Sequence, residues 1–89
     1  MGTSLLERLQ RVYLRVGGCC TYCGRALMLH EAHLDHDEGG SHLAIAAEDQ
    51  LRCACGECQA EKGERTAAEY RHIRRTRQAL EMLSTLAAR

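Results

Sequence analysis

Cys20-Thr-Tyr-Cys23 and Cys55-Gly-Glu-Cys58 are two Cys-x-x-Cys pairs in a chain of 89 residues. Two cysteines separated by two residues can direct both sulfurs at one ion, because a tight turn between them brings their side chains together. Two such pairs make a closed tetrahedron of four thiolates, which is the usual structural zinc site. We therefore predict that Cys20, Cys23, Cys55 and Cys58 bind one structural Zn²⁺. The segment between the pairs is then a loop clamped at its base by the metal.

The length predicts a single domain, residues 1–89. A chain this short buries little apolar surface, so a bound metal or oligomerisation is expected to stabilise it. Phe and Trp are absent and Tyr occurs three times. The core is therefore expected to consist of Leu, Ala, Val, Ile and the tyrosine rings.

Six cysteines in a small chain can also indicate a disulfide framework. No secretory signal is recognisable before them, and no segment has the apolar length of a membrane span. A reducing, cytoplasmic compartment with metal-bound thiolates and no membrane association is the favoured interpretation. Cys19 is predicted to be a buried thiol. Cys53 is predicted to be a small core residue, unless it replaces Cys55 as a ligand.

The formal net charge is zero, but the charges are unevenly distributed. Residues 1–29 carry four Arg against one Glu, and residues 61–89 carry seven Lys or Arg against four Glu. Residues 30–60 carry seven acids against Arg52 alone. The acids are Glu31, Asp35, Asp37, Glu38, Glu48, Asp49 and Glu57. This acidic middle segment would suit a basic protein partner, whereas the overall basic footprint of many nucleic-acid binders is absent.

Helices are predicted at both ends of the chain. Residues 4–16 have an amphipathic pattern, with Thr3 or Ser4 as the N-cap and Gly17-Gly18 as the end. Residues 66–88 form a long helix capped by Thr66, with Glu69 at the capping-box position.

The C-terminal helix is predicted to have one apolar face and a set of arginines beside it. The apolar positions are Tyr70, Ile73, Leu80, Leu83 and Ala87. This face is expected to pack on residues 4–16 or on a second copy of the chain. The basic positions are Arg71, Arg74, Arg75 and Arg77. They indicate either a solvated helix face or a ridge that contacts phosphates.

Between the cysteine pairs, residues 32–36 are predicted to be a strand and Gly39-Gly40 a turn. Residues 43–47 fit a strand or a helical turn equally well, because periodicity cannot decide over five residues. A short helix broken at Gly63 is expected to leave the second cysteine pair.

The central segment resembles the HNH endonucleases that carry a four-Cys zinc site. Members read, in outline, Cys-x-x-Cys-Gly, Asp-His, Gly-Gly, Asn-Leu and Cys-x-x-Cys-Asn-x-x-Lys-Gly. The corresponding segments here are Cys20-Thr-Tyr-Cys23-Gly24, His33-Leu34-Asp35-His36, Gly39-Gly40, Asp49-Gln50-Leu51 and Cys55-Gly-Glu-Cys58-Gln59-Ala-Glu-Lys62-Gly63. Gln50 lies fourteen positions after His36, and Gln59 lies nine after Gln50, as in the family. Both family Asn positions are Gln in this chain.

The resemblance covers residues 20–65 and implies a small α+β fold. Its zinc-stabilised core would have the ββα-metal, HNH-like arrangement, with flanking N- and C-terminal helices. It further implies that His36 is the general base, that Asp35 and Gln59 hold a catalytic Mg²⁺ or other divalent ion, and that Gln50 orients His36. His33 is a third candidate ligand for that ion, since it lies two residues before Asp35.

This assignment has a physical basis in the chemistry of phosphodiester hydrolysis. The reaction needs a deprotonated water in line with the leaving oxygen and a counter-charge on that oxygen. A neutral imidazole can take the proton, and a carboxylate can hold the cation. Ideal strand geometry sends Asp35 and His36 to opposite faces, so a local bend would be needed for both to serve one phosphate.

Three functions follow as hypotheses. The first is a small metal-dependent DNA endonuclease or nickase, and its DNA-contacting residues would be Lys62, Arg65, Arg71, Arg74 and Arg75. The second is a catalytically degenerate relative that inhibits or recruits a protein partner through the acidic segment 30–60. The third is a zinc module that binds DNA without hydrolysis. Standalone domains of this type are common in phage and mobile elements, which makes such an origin an expectation by analogy.

Overall fold

The computed structural model describes residues 4–38, 43 and 46–88. Within these residues there are three α-helices and one two-stranded sheet, so the predicted α+β class is confirmed. In chain order the elements are α1 (Leu5–Arg15), β1 (His33–His36), β2 (Leu51–Ala54), α2 (Gly56–Lys62) and α3 (Ala67–Ala87). No helix in the described part of the chain has the length and hydropathy needed to span a membrane.

The two strands form an antiparallel ladder in which His33 pairs with Ala54 and His36 pairs with Leu51. The four residue pairs follow one another without an inserted residue. Helix α1 packs against this ladder, chiefly on β2. Val12 of α1 and Leu51 of β2 lie at the centre of the core and are almost completely buried.

Helix α1 begins and ends where its sequence predicts. The Ser4 side chain accepts a hydrogen bond of 3.1 Å from the backbone N–H of Glu7, which satisfies one of the unpaired donors of the first turn. Gly17 and Gly18 have φ of 77° and 69°, a conformation that glycine adopts without steric cost. Tyr13 closes the turn that follows, because its hydroxyl donates to the carbonyl of Leu27 at 2.6 Å.

Arginines of α1 bind the chain segment that precedes β2. Arg8 donates to the carbonyl of Leu43 at 2.7 Å, and Arg15 donates to the carbonyl of Glu48 at 2.7 Å. Arg11 forms an ion pair with the Glu48 carboxylate. The basic face of α1 is therefore used within the fold.

Helices α2 and α3 follow each other closely. Helix α2 ends at Gly63, whose φ is 58°. Thr66 and Glu69 form the predicted capping box at the start of α3. The backbone N–H of Ala67 also donates to the carbonyl of Asp37 at 2.7 Å, which fixes the start of α3 beside the end of β1.

The apolar face of α3 is covered only at its N-terminal end. Tyr70 is buried and Ile73 is half-buried, whereas Leu80 and Leu83 are 60% and 61% exposed. A helix of 21 residues is about 31 Å long, so its C-terminal half extends past the residues it could contact. The prediction that this face packs on residues 4–16 therefore does not hold for this half, and its packing on a second copy of the chain stays a prediction.

The structure describes only part of the segment 37–50, for which two features were predicted. The turn at Gly39-Gly40 lies outside the described residues, as do Ala44 and Ile45 from the ambiguous segment 43–47. Residues Glu48–Gln50 form one turn of 3₁₀-helix and lead directly into β2.

Leu51→Ala is expected to lower the free energy of unfolding by about 2–5 kcal/mol, because Leu51 is fully buried and its truncation leaves a cavity. Leu86→Ala is the matched control, since Leu86 is 54% exposed and its truncation should change stability by less than about 0.5 kcal/mol. Urea titration of both metal-loaded variants measures the difference. Equal destabilisation by the two substitutions would contradict this assignment of the core.

Candidate metal centre and the polar site beside it

The structure brings the four predicted ligand cysteines together. The sulfurs of Cys20, Cys23, Cys55 and Cys58 all lie within 4.8 Å of one another. The Cys23 and Cys55 sulfurs are 3.9 Å apart. Four sulfurs about 2.3 Å from a tetrahedral Zn²⁺ would be separated by about 3.8 Å. The cluster could therefore hold a metal ion such as zinc.

Each cysteine pair has a turn that directs its sulfurs inward. In the first pair the N–H of Gly24 donates to the carbonyl of Cys20 at 3.0 Å, and Gly24 has a left-handed conformation with φ of 77°. In the second pair Cys55 is the N-cap of α2, and its sulfur accepts a hydrogen bond of 3.4 Å from the N–H of Cys58. The first turn and the start of α2 thus meet at the cluster.

The metal-free thiols have unequal pKa values. Burial has the largest influence on Cys20 and would raise its pKa, but backbone N–H groups of Cys23, Cys55 and Tyr22 outweigh it and lower the pKa to about 7. Burial raises the pKa of Cys58 to about 12. A divalent cation among these sulfurs would favour the thiolate form of all four, because metal binding displaces thiol protons.

The other two cysteines lie outside the cluster. Cys53 in β2 is fully buried in the core, as predicted, so Cys55 and not Cys53 belongs to the cluster. Cys19 is half-buried and not fully buried, and its thiol contacts the carbonyl of Gly17 at 3.5 Å.

A buried ion pair lies beside the cluster. Asp35 is 6% exposed and Lys62 is 2% exposed, and the Lys62 Nζ lies 3.2 Å from the Asp35 Oδ1. Lys62 also donates to the carbonyl of His36 at 3.2 Å. The Tyr22 hydroxyl donates to the Asp35 Oδ2. Both carboxylate oxygens of Asp35 are therefore engaged.

Tyr22 is a neutral donor in this arrangement. Burial, followed by the hydrogen bond to Asp35, raises the pKa of Tyr22. The Tyr22 ring packs edge-on against the ring of Tyr70, with centroids 4.9 Å apart. Tyr22 lies between Cys20 and Cys23, so it connects the first cysteine pair to Asp35 and to α3.

His36 and Gln50 are brought together. The His36 Nε2 lies 3.2 Å from the Gln50 Oε1, and His36 is half-buried. Gln59 is directed elsewhere, because its Nε2 donates to the carbonyl of Leu34 at 3.3 Å. Because the strand register is continuous, Asp35 and His36 extend to opposite faces of β1. The pairing register of β1 contains no bulge that would bring the two side chains to one face.

His33 lies at an apolar hollow. The hollow is lined by Leu5, Leu6, Leu9, Ala32, His33, Leu34, Leu43 and Gln59. Among the described residues, the four cysteines form the only group of three or more His, Cys, Asp or Glu side chains close enough to share an ion. The buried Lys62 ammonium beside Asp35 would repel a second, hard divalent cation, and no other ligand side chain is grouped with Asp35 among the described residues.

Two arginines of α3 contact the first cysteine turn and the Cys58 sulfur of the cluster. The Arg71 guanidinium lies 5.4 Å from the centroid of the Tyr22 ring and donates to the Thr21 hydroxyl at 3.3 Å. The Arg74 guanidinium lies over the Tyr70 ring, and its Nη1 is 3.6 Å from the Cys58 sulfur. A shallow hollow is lined by Thr21, Tyr22, Arg71, Arg74, Arg75 and Gln78, and we call it the arginine surface.

Two other predicted DNA-contacting residues are used inside the fold. Lys62 is buried against Asp35, so the prediction that it contacts phosphate is wrong for this structure. Arg65 is exposed, but it donates to the carbonyls of Glu61 at 2.9 Å and Lys62 at 3.4 Å. It therefore caps the C-terminal end of α2.

Several acids of the segment 30–60 have basic partners within the chain. Asp35 pairs with Lys62, and Asp37 pairs with Arg52 at 3.5 Å. Glu48 pairs with two arginines of α1. The Glu31 carboxylate accepts a hydrogen bond from the N–H of Met28. The acidic segment therefore presents less uncompensated charge than its sequence indicates.

Comparison with known proteins identified no related protein. No protein-family model, curated protein or solved structure matches the chain.

Cys58→Ser is expected to abolish stoichiometric zinc binding and to unfold the domain. Structural zinc contributes roughly 10–16 kcal/mol in small zinc domains, which is as large as the whole stability of a typical domain. Metal analysis and circular dichroism measure both effects, and a chelator should reproduce them in the wild-type protein.

Cys19→Ser is the control for this substitution, since Cys19 lies outside the cluster. This variant should keep about one zinc per chain and a near-normal melting temperature. Loss of zinc from the Cys19 variant, or full zinc retention in the Cys58 variant, would contradict the assignment.

Proposed function

We propose that the protein is a zinc-stabilised, HNH-like domain that binds DNA through the arginine surface. The zinc would be structural, because a four-thiolate set leaves no open coordination position for substrate. The observation that carries the proposal is the contact of Arg74 with the Cys58 sulfur at 3.6 Å, beside Arg71 on Tyr22. The cysteine cluster, the tyrosines and these arginines form one connected unit.

The order of the elements supports an HNH-like core. Strands β1 and β2 are followed by α2, and the second cysteine pair lies at the start of that helix. This is the strand–strand–helix order that the resemblance implies for a ββα-metal core. A four-thiolate metal suits a reducing, cytoplasmic compartment, and a phage or mobile-element origin is proposed by analogy only.

The polar groups of the arginine surface suit a phosphate backbone. Arginine offers planar pairs of N–H donors that match phosphate oxygens, and its charge is permanent. Arg71 and Arg74 are held over tyrosine rings, so little side-chain freedom would be lost on binding. Arg75 is exposed at the rim of the same hollow.

Binding without hydrolysis is favoured by the state of Asp35. The Lys62 ammonium already neutralises the Asp35 carboxylate in a buried environment, so a hard cation at Asp35 would have to compete with that ammonium. The acidic segment is partly neutralised by α1, which makes DNA a better partner than a basic protein. A homodimer through the exposed apolar end of α3 is compatible with either partner.

Arg75→Gln is expected to weaken binding to duplex DNA and to reduce the slope of log K against log salt by about one, because one phosphate fewer would be neutralised by the protein. Arg75 is exposed, so the fold should be unaffected. Fluorescence anisotropy at several salt concentrations measures the slope.

Arg11→Gln is the matched control, because Arg11 lies on α1 and pairs with Glu48. This variant should leave the slope unchanged. An identical slope in wild type and Arg75→Gln, or no salt-dependent binding at all, would contradict the proposal and favour a protein partner.

Hydrolysis is the second candidate function, and the contact of His36 with Gln50 at 3.2 Å favours it. The resemblance expects an amide to orient the catalytic imidazole at this position. In such an enzyme, neutral His36 would take the proton from the water that attacks the phosphorus. The arginine surface would hold the substrate backbone.

Supercoiled plasmid incubated with magnesium, manganese or nickel separates the two functions. We expect binding without nicking by the wild-type protein, because Asp35 is engaged by Lys62 and Tyr22. Nicking by wild type that is lost in His36→Ala would establish the hydrolytic function instead. Nicking of equal rate in both proteins would indicate contamination.

A further inference from the structure

The buried Lys62 ammonium lies between two oxygens of β1. Its Nζ is 3.2 Å from the Asp35 Oδ1 and 3.2 Å from the backbone oxygen of His36. A carboxylate and a backbone carbonyl are the oxygen ligands that hard divalent cations use in proteins. The Lys62 side chain thus places its positive charge where the Asp35 carboxylate and the His36 carbonyl oxygen lie close together.

Asp35 and Lys62 belong to different secondary-structure elements. Asp35 belongs to β1, and Lys62 is the last residue of α2, whose N-cap is Cys55 and whose first turn carries Cys58. The cysteine cluster therefore fixes the direction of α2 and brings the lysine back to the strand. Its side chain is 2% exposed, so the ammonium is shielded from solvent and from any bound phosphate.

We propose that the Lys62 ammonium occupies the position of a divalent cation at Asp35. In the natural chain it thereby prevents a metal ion from binding to Asp35 and the His36 carbonyl. An ammonium and a divalent cation repel each other at short range in a buried environment, so they compete for this carboxylate. A substitution of Lys62 that removes the charge but keeps the side-chain volume should allow Asp35 and the His36 carbonyl to bind a cation. A new ion would complete its coordination with water.

Lys62→Met tests this conversion, because methionine is neutral and unbranched. Zinc-loaded protein is titrated with Mn²⁺, and the free ion is measured by electron paramagnetic resonance. The expected result is one Mn²⁺ bound at least about tenfold more tightly by Lys62→Met than by wild type. Mn²⁺ prefers oxygen to thiolate ligands, so it should leave the four-cysteine site intact.

The double variant Asp35→Asn/Lys62→Met is the matched control. It removes both charges of the pair, so it should fold but should bind Mn²⁺ no better than wild type. Mn²⁺ should also raise the melting temperature of Lys62→Met alone, because only that variant gains a ligand in its folded state. This second readout applies even if the single variant is unfolded without added metal.

Three results would overturn the proposal. They are Mn²⁺ binding by wild type as tight as that of Lys62→Met, equal binding by the single and double variants, and failure of Mn²⁺ to stabilise or refold Lys62→Met while the double variant folds. These measurements contain no DNA. Their outcome is therefore independent of whether the arginine surface binds nucleic acid.

Discussion

Four thiols held within 4.8 Å of one another impose the dominant constraint on this fold. As thiolates they would repel one another strongly, and as thiols they contribute little, so a cation at their centre is the state in which the arrangement is most favourable. The cluster joins a turn after α1 to the first turn of α2. Because α3 follows α2 after a short connection, the direction of the long helix depends on the same four sulfurs.

A second constraint is the buried pair of Asp35 and Lys62. Removal of either partner alone would leave an uncompensated charge in the core, which costs roughly 3–5 kcal/mol in comparable pairs. The pair also binds Tyr22 from the first cysteine turn. The strand, the turn and the helix that surround the cluster are therefore connected twice, once through sulfur and once through this polar contact. The carboxylate of Asp35 thus stabilises the architecture through contacts with both a helix and a turn.

Much of the local structure could be predicted because its causes are local. The cysteine spacing, the caps at Ser4 and Thr66, and the glycines at positions 17 and 18 act within four residues of the features they determine. The pairing of His36 with Gln50 could also be predicted, through the resemblance. The partner of Asp35 could not be predicted in this way. Lys62 is far from it in sequence, and their contact depends on the orientation of α2 against β1.

The charge pattern was a poor guide for a related reason. Seven acids in residues 30–60 suggested a docking face, but the arginines of α1 fold back on that segment and neutralise part of it. Amphipathic periodicity also predicted an apolar face along the whole of α3, without indicating how far the core extends beneath it. Composition and periodicity identify the groups that can interact, while their partners are determined by tertiary packing.

The tyrosine content of the chain has an experimental consequence. With no tryptophan present, tyrosine dominates the intrinsic emission, and two of the three tyrosines lie at the metal centre. The Tyr22 hydroxyl donates to the Asp35 carboxylate, and the Tyr70 hydroxyl donates to the Glu61 carboxylate at 2.8 Å. Hydrogen bonding of this kind and ring–ring contact both alter the emission of a phenol. Tyrosine emission would therefore report the binding of a metal ion by the four cysteines, without any attached dye.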